Sequence, residues 1–361
     1  MSRILIAGGG TAGHVVPALA IADVLTARGF AVEFCGAGYG MEGRLVPEAG
    51  YPFHYVRIRG FERHLGLGTL RTLASIPRAG VDAWRVLRRV RPACVVGVGA
   101  YASGPVVAEA AVRGIPAVAV EMDAHLGWTN RILSRLVDRV CLSFPIPGRE
   151  GGKFVYTGRP LRPQLLTATR EEGLDRFHLD PAVPVLVVFG GSLGARVLND
   201  AVISAFAGKE PDFQILHVTG KLDYERVTAA MLPGTSRYQA FAYLDDFHLA
   251  LAAADVAVSR AGGSVAELLA LGVPAVLVPY PYATADHQTK NARALQDSGA
   301  AVLVPNAEMT GPRLLAELEV LQDAEVRARM RAAALALARP DATDRIAEEI
   351  VQLSGRMRPN P

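Results

Sequence analysis

ADVAVSRAGGSVAELLALGVPAVLVPYPYATADHQTKNA, residues 254–292, contains a strand, a turn, a helix and a second strand in succession. The apolar run Val256–Ser259 predicts the first strand, Gly262 and Gly263 a tight turn, and a helix begins near Ser264. A second apolar run predicts the next strand, and a loop rich in Pro then opens another helix. Buried strands that alternate with helices are typical of parallel α/β sheets.

The same stretch predicts a site for a nucleoside diphosphate. A strand, a tight turn and a helix start direct backbone N–H groups at one point, which suits a phosphate. Glu267 lies in the first helical turn, where a carboxylate can accept hydrogen bonds from ribose hydroxyls. Gln288 and Asn291 share one helix face. The alternative is that Glu267 only complements the helix dipole and the glycines only form a turn.

Length and composition limit the possible classes of protein. A chain of 361 residues predicts two domains, and 50% apolar with 20% charged residues disfavours disorder. The net charge of +3 is too small to indicate nucleic acid binding. Three cysteines without CxxC spacing, Cys35, Cys94 and Cys141, predict buried thiols in a reducing compartment. Neither a signal peptide nor a transmembrane run is expected.

The pattern of the whole chain predicts two Rossmann-like domains with parallel sheets that face each other across a cleft. The first spans residues 1–160, the second 161–340, and an amphipathic helix at 341–355 is expected to pack back on the first. The segment after Ser143 reads PIPGREGGK and predicts a linker. The predicted strands are Ile4–Ala7, Val32–Cys35, His54–Ile58, Cys94–Val98, Ala117–Val120, Val140–Leu142, Val185–Phe189, Gln214–Val218, Tyr238–Ala242, Val256–Ser259, Ala275–Val278 and Ala301–Val304.

Gly8, Gly10 and Gly13 satisfy the G-x-G-x-x-G pattern after a strand, so a dinucleotide-dependent dehydrogenase stays open. That class requires an acidic residue at the end of the second strand, whereas Glu33 falls in its middle. It would also leave Glu267 without a role, which disfavours it.

His14 directly follows this first turn, at the start of a helix whose positive end favours a neutral imidazole, as a general base requires. A histidine that only fills a helix start is the alternative. Residues 96–105, VGVGAYASGP, form another Gly-rich turn whose backbone can approach a phosphate closely. Together the turns predict a nucleotide on one side of the cleft and a phosphorylated acceptor on the other.

Several motifs, in their order and spacing, closely resemble the MurG family of N-acetylglucosaminyltransferases over almost the whole chain. They are GGGTAGHVVPALAIA, GVGAYASGP, TNRIL, TGRPLR, GGSLGARVLN, AYLDD, SRAGGSVAE and PYPYATADHQTKNA. The resemblance implies a GT-B fold and inverting transfer from UDP-N-acetylglucosamine to the C4 hydroxyl of undecaprenyl-pyrophosphoryl-N-acetylmuramoyl-pentapeptide. It also implies peptidoglycan synthesis at the cytoplasmic face of the cell membrane, without a metal or other cofactor.

The resemblance implies residue roles as well. His14 would be the catalytic base, and Gly99, Tyr101 and Ser103 would bind the acceptor. The implied donor-binding residues are Thr11, Ala12, Gly13, Asp123, Arg162, Ser192, Leu244, Gly262, Gly263, Ser264, Glu267, Gln288 and Asn291. Among these, Thr11 and Gly13 would lie with His14 at the reaction centre.

The chain departs from the family where His-Glu-Gln-Asn is usual and Val120-Glu121-Met122-Asp123 stands instead. Ala12 and Leu193 also replace a common Gly and a common Gln. Asp123 is expected to take over the amino-sugar contact of the usual Asn. Three alternatives stay open: a transferase acting on another lipid such as diacylglycerol, a UDP-sugar epimerase, and an inactive relative acting as a membrane scaffold.

An Arg-rich segment predicts attachment to an anionic membrane surface. Residues 57–91 contain nine Arg against two acidic residues, and helical spacing puts Arg85, Arg88 and Arg89 on one face. The run Leu65–Ile76 just before them offers leucines with little polar cover. The alternative is that the arginines form an ordinary solvated surface.

Overall fold

The polypeptide folds into two α/β units, each with its own parallel sheet. The computed structural model describes residues 1–58, 67–191, 193–231, 237–283 and 286–355, apart from the side chains of residues 12, 67–76 and 100. The first unit comprises Met1–Arg162 and the chain from Pro340 onward, and the second comprises Pro163–Arg339. The expected α/β architecture with two parallel sheets is confirmed.

The sheet of the first unit has the strand order β3-β2-β1-β4-β5-β6-β7, and its neighbouring strands are parallel. Its strands are β1 (Arg3–Ala7), β2 (Ala31–Gly36), β3 (Phe53–Tyr55), β4 (Cys94–Gly97), β5 (Ala117–Glu121), β6 (Arg139–Leu142) and β7 (Phe154–Tyr156). The helices between them are α1 (Ala12–Ala27), α2 (Glu42–Glu48), α3 (Leu67–Val90), α4 (Ala100–Val112) and α5 (Trp128–Leu133).

Strand β1 is an interior strand of this sheet, and after the exposed Arg3 it is an unbroken apolar run, as a strand buried on both faces requires. Alternate side chains point to opposite faces of a strand. Ile4 and Ile6 therefore join the core beneath α1, whereas Leu5 and Ala7 join the core beneath α3 and α4. All four are fully buried.

The second unit repeats the plan with the strand order β10-β9-β8-β11-β12-β13. Its strands are β8 (Val185–Phe189), β9 (Gln214–Val218), β10 (Tyr238–Phe241), β11 (Val256–Ser259), β12 (Ala275–Leu277) and β13 (Ala301–Leu303). Its helices are α6 (Pro163–Thr167), α7 (Arg170–Phe177), α8 (Arg196–Phe206), α9 (Tyr224–Ala230), α10 (Phe247–Ala253), α11 (Val265–Leu271), α12 (His287–Asp297), α13 (Gly311–Val320) and α14 (Ala324–Leu337).

The C-terminal helix α15 (Ala342–Ser354) returns to the first unit. Ile346 and Ile350 are fully buried in the core that contains α1 and β1. Burying such a side chain contributes about 1.5–3 kcal/mol. The Oγ1 atom of Thr343 also donates to the carbonyl of Leu161 at 3.0 Å. This hydrogen bond connects the start of α15 to the end of the segment Met1–Arg162.

Two details differ from the sequence prediction. The segment expected to be a linker after Ser143 is a loop within the first unit, because β7 follows it and pairs with β6. Only three residues long and preceded by Gly151 and Gly152, β7 is too short to show a period. Strand β3 is also shorter than expected and ends at Tyr55.

The three cysteines are buried and free, as expected, and burial raises the pKa of each thiol. In the described part of the chain, no helix combines the length and the apolar character needed to span a bilayer.

Candidate functional site

Both sheets reverse their strand order between two Gly-rich turns. In the first sheet β1 pairs with β2 on one side and β4 on the other, so the turns after β1 and β4 meet at the carboxyl edge. In the second sheet β8 and β11 are neighbours in the same way. Ligands of doubly wound sheets bind at such points. Each unit therefore has one candidate site.

His14 lies where the two turns of the first unit meet. Its Nδ1 is 3.1 Å from Oγ1 of Thr11. A Cβ at Gly99 would lie only 3.1 Å from Cδ2 of His14, and Gly99 has a φ of 88°, so a side chain is excluded there on two grounds. When Nδ1 carries the proton and donates to Thr11, the lone pair on Nε2 faces the Gly99 turn. Thr11, His14 and Gly99 are thus brought together as the sequence predicts.

Of the other two residues predicted to bind the acceptor, one is partly accessible. Tyr101 is half-buried, and its hydroxyl donates to the hydroxyl of Tyr39 at 2.7 Å. Tyr39 in turn donates to the carbonyl of Ile58 at 3.0 Å. Ser103 is fully buried and packs against Gly97, so its side chain shapes the turn from inside.

A buried carboxylate organises the loop after β5. Glu121 is 4% exposed and accepts hydrogen bonds from the N–H groups of Asp123 and Gly127, at 3.1 and 2.9 Å, and from Nδ2 of Asn130 at 3.0 Å. Burial raises its pKa to about 6, although these donors act in the opposite direction. The loop that presents Asp123 is therefore held from within.

Arg159 connects this loop to the first turn. Its side chain is almost fully buried and donates to the carbonyl of Met122 at 2.8 Å and to that of Gly13. The sequence prediction singled out Arg162, which is half-buried and ends the first unit. Arg159, three residues earlier, fixes Gly13 relative to the loop after β5.

In the second unit, two amide side chains hold the turn after β11. A Cβ at Gly262 would lie 3.7 Å from Nε2 of Gln288, so this amide lies over the turn. The Oε1 atom of Gln288 accepts from the N–H of Tyr280 at 2.9 Å. Asn291 is 1% exposed and donates to the carbonyl of Ala261 at 3.1 Å, whereas its Oδ1 has no partner among the described residues. Asn291 therefore supports the turn from beneath.

Glu267 is half-buried in α11, three residues after Ser264 and close in sequence to Gly263. Arg260 lies in the turn before α11, and its guanidinium donates to the carbonyls of Val278 and Pro279 and to Oδ1 of Asn306. Arg260 also lies over the ring of Tyr280, 5.5 Å from its centroid, and burial lowers its pKa. The turns after β11 and β12 are thus joined by one side chain.

The neighbouring turn, after β8, is packed against the end of β9. Gly194 has a φ of 77°, and a Cβ there would overlap the carbonyl oxygen of Thr219. Beneath it Asn199 donates to the same carbonyl at 3.0 Å and lies 3.0 Å from Nε2 of the buried His217. Burial lowers the pKa of His217 to about 3, so it is neutral.

Three predicted residues receive little or no structural description. Ser192 lies outside the described residues, as does the side chain of Ala12. Leu244 is buried in the loop between β10 and α10. Among the described residues, no group of three or more His, Cys, Asp or Glu side chains is placed to hold a metal ion.

Comparison with known proteins identifies the family. Residues 4–142 match the glycosyltransferase family 28 N-terminal domain and residues 185–346 the C-terminal domain. A relative from Desulforamulus reducens is 39% identical over 94% of this chain and 95% of its own, and one from Moorella thermoacetica 41% over 97% and 98%. Both are named UDP-N-acetylglucosamine–N-acetylmuramyl-(pentapeptide) pyrophosphoryl-undecaprenol N-acetylglucosamine transferase. The chain belongs to the MurG family.

Solved structures agree with this membership. The crystal structure of Acinetobacter baumannii MurG is 30% identical and superimposes with a TM-score of 0.79, covering 98% of this chain and 100% of that one. The calicheamicin glycosyltransferase CalG4, at 19% identity and a TM-score of 0.70, shares the fold. A UDP-N-acetylglucosamine 2-epimerase, at 14% and 0.68, does so too. The recognised family and the GT-B fold class are therefore confirmed.

The departures from the usual MurG motif have a structural counterpart. Val120 and Met122 are buried in the core shared with α1 and α15, so apolar side chains fill positions where the family usually has polar ones. Asp123 is half-buried, and its backbone N–H is bound by Glu121. The loop thus keeps its internal support although its sequence differs.

Sequence reasoning missed the supporting residues of this MurG-family site. Asn130, Arg159 and Arg260 act on backbone groups 10 to 146 residues away in the chain, whereas Glu121 binds N–H groups of the loop that follows it. The buried Asn130 and Arg159 lie inside motifs that carry the resemblance, TNRIL and TGRPLR, and that placement was the available signal.

Proposed function

We propose that this chain transfers N-acetylglucosamine from UDP-N-acetylglucosamine to the C4 hydroxyl of undecaprenyl-pyrophosphoryl-N-acetylmuramoyl-pentapeptide, with inversion at the anomeric carbon. One observation carries the proposal: proteins named for this reaction are 39% and 41% identical over nearly the whole chain. Substrates in this class consist of a nucleoside diphosphate and a lipid diphosphate. Two switch-point sites built from Gly-rich turns suit such groups.

The second unit is proposed to bind the donor. The diphosphate would contact the turn Gly262–Ser264. The carboxylate of Glu267 would accept hydrogen bonds from both ribose hydroxyls. Support comes from the position of the Gln288 amide over Gly262 and from the Arg260 contacts that hold the turn. Ser192, Arg162 and the backbone at Leu244 complete the proposed donor contacts, while Asn291 acts by positioning the turn.

The first unit is proposed to bind the acceptor and supply the base. Nε2 of His14 takes the proton of the C4 hydroxyl while Thr11 holds Nδ1–H. The oxygen then bonds to the anomeric carbon from the face opposite UDP. The bond from that carbon to the diphosphate breaks, and its electron pair leaves with UDP. Backbone N–H groups of the Gly-rich turns stabilise the charge that develops there.

The acceptor would lie against Gly99 and Tyr101, whereas the buried Ser103 would hold the turn. Gly13 and Ala12 complete the proposed donor contacts in this unit, beside His14. Asp123 would contact its amino-sugar group, in the place of the usual Asn. The internal support of the Asp123 loop by Glu121 favours this assignment.

We also propose that the first unit binds the cytoplasmic face of the cell membrane peripherally. Arg85, Arg88 and Arg89 are exposed on α3, while Val86 and Leu87 on its other face are buried. Each basic residue near an anionic surface contributes about 1 kcal/mol. The leucine run Leu65–Ile76 belongs to the prediction, but its side chains lie outside the described residues.

A test of the reaction measures UDP release from UDP-N-acetylglucosamine with three acceptors: none, lipid-linked muramoyl-pentapeptide and diacylglycerol. We expect release only with the muramoyl lipid. Release with diacylglycerol alone would support the other lipid transferase. Conversion of the donor to its 2-epimer without acceptor would indicate an epimerase, and no turnover would indicate an inactive relative.

A further inference from the structure

Glu42, the first residue of α2, is a buried carboxylate that joins two loops of the first unit. It is only 2% exposed. Its Oε2 accepts a hydrogen bond from the N–H of Gly10 at 2.7 Å, in the turn after β1. Its Oε1 accepts one from the N–H of Gly38 at 3.2 Å, in the loop after β2. Both oxygens are therefore bound by backbone donors.

The surrounding backbone is shaped to this side chain. A Cβ at Gly9 or Gly40 would overlap the carboxylate, and one at Gly36 would lie 3.0 Å from Cγ of Glu42. Among the described side chains Glu42 has no ion-pair partner, so backbone N–H dipoles compensate its charge. Successive backbone N–H groups around a concavity are what a phosphate group usually meets in such turns.

We propose that Glu42 is a built-in anion: it occupies the backbone anion site of the turn after β1 in place of a substrate phosphate, and thereby positions Thr11 and His14 for transfer. The inference rests on the proposed transfer reaction. Because Glu42 occupies the turn after β1, the acceptor diphosphate is expected at the other Gly-rich turn of this unit, Gly99–Ser103.

The path from Glu42 to His14 is short. Gly10 is held on both sides, because its carbonyl also accepts from the N–H of Met41 at 3.3 Å. The next residue is Thr11, whose carbonyl accepts from the N–H of His14 at 3.1 Å and whose Oγ1 contacts the ring. A shift of Gly10 therefore shifts the imidazole. Misplacing a catalytic group by about 1 Å can lower the rate about 10²-fold.

The test compares Glu42→Ala, Glu42→Gln and the control Glu48→Ala in the full chain, with and without added formate. Glu48 lies at the other end of α2, is exposed, and pairs at the surface with Arg44. Wild-type turnover is measured first and tests the reaction alone. Circular dichroism and thermal unfolding then establish that each variant is folded.

We expect kcat of Glu42→Ala to fall about 10²-fold with a nearly unchanged donor KM, and formate to restore part of it by binding the two vacated N–H groups. Glu42→Gln should lose activity without rescue, because the space is filled and its NH2 opposes an N–H donor. Glu48→Ala should match the wild type.

Three outcomes would overturn the inference. They are wild-type kcat in a folded Glu42→Ala or Glu42→Gln, no formate rescue of a folded Glu42→Ala, and failure of both Glu42 variants to fold. The last would assign Glu42 to stability alone.

Discussion

Donor affinity is expected to depend on the carboxylate of Glu267. Glu267→Ala would remove the two charge-assisted hydrogen bonds proposed to the ribose, each worth about 1.5–3 kcal/mol. The donor KM should therefore rise by about tenfold or more for each bond. Glu319→Ala, an exposed residue of α13, is the control and should leave the donor KM unchanged. Steady-state kinetics with varied donor measure both, and an unaltered KM in Glu267→Ala would refute the ribose contact.

His14 is the residue on which turnover should depend. His14→Ala should lower kcat by roughly 10²–10⁴ because the C4 hydroxyl loses its base, while donor binding changes little. His54→Gln is the control, since His54 pairs with Glu33 at 2.6 Å in the edge strand β3 and takes no part in the proposed reaction. Full activity in His14→Ala would exclude the imidazole as base.

Glu121 should make the stability of the first unit depend on pH. Its pKa is raised by burial from 4.5 to about 6, so the folded state favours the protonated form. The associated stability is present below pH 4.5 and is lost as the pH rises through about 6, a change of about 2 kcal/mol.

Urea unfolding of wild type and Glu121→Gln over this pH range measures the effect. The hydrogen bonds that Glu121→Gln loses lower its free energy of unfolding by an amount that does not depend on pH. The wild-type advantage over the variant should shrink by about 2 kcal/mol on going from acid to neutral pH. Parallel pH profiles would show that Glu121 does not titrate as described.

The residues proposed to touch substrate were easier to predict than those that support them. His14 and Glu267 follow Gly-rich turns in the sequence and Gln288 follows a Pro-rich loop, so local patterns mark all three. Glu42 and Arg159 bind backbone groups 32 and 146 residues away, so no local pattern shows which groups they bind, although Arg159 lies in the motif TGRPLR.

Among the structural elements, the turn after β8 allows a test of why a glycine is needed. The two possible reasons are a positive φ and a lack of space for a Cβ atom. Gly194 and Gly208 both have positive φ, 77° and 73°, but only at Gly194 would a Cβ overlap the backbone. Each Ala substitution costs about 1–2 kcal/mol for the left-handed backbone. The overlap adds about 1–3 kcal/mol for Gly194→Ala alone.

Unfolding measurements and donor kinetics on both variants decide the matter. We expect Gly194→Ala to lose more stability and to raise the donor KM, because the proposed donor residue Ser192 is only two residues away in the sequence. Equal losses of stability in Gly194→Ala and Gly208→Ala would contradict the close packing on Thr219.

Long elements were predictable because their patterns persist. The strands β4 and β8, and β1 after Arg3, are apolar runs, and parallel strands buried on both faces require this. Strand β7 has only three residues, which is too short for a periodic pattern. It is part of the sheet because it pairs with β6, and a pairing between strands cannot be seen in sequence periodicity. The strand order also lies beyond a periodic pattern, since it depends on which strands pair.

For the whole molecule, charge reversal tests the membrane proposal. The triple variant Arg85→Glu, Arg88→Glu, Arg89→Glu should bind anionic liposomes more weakly, since each Arg contributes about 1 kcal/mol near the surface. The control triple Arg293→Glu, Arg329→Glu, Arg331→Glu changes the charge equally at exposed positions of the second unit and should bind as the wild type does. Added salt should weaken wild-type binding.

Co-sedimentation with liposomes gives the readout. Equal binding by wild type and the α3 variant, or wild-type binding that does not change with salt, would contradict the membrane proposal. The Arg-rich face would then be an ordinary solvated surface.

The most direct test of the account isolates the lipid product formed from UDP-N-acetylglucosamine and lipid-linked muramoyl-pentapeptide. Mass spectrometry establishes whether one N-acetylhexosamine has been added, and NMR gives the linkage. We expect a single N-acetylglucosamine joined through a β linkage to C4 of the muramoyl sugar. An unmodified acceptor, an α linkage or a sugar attached at another position would contradict it.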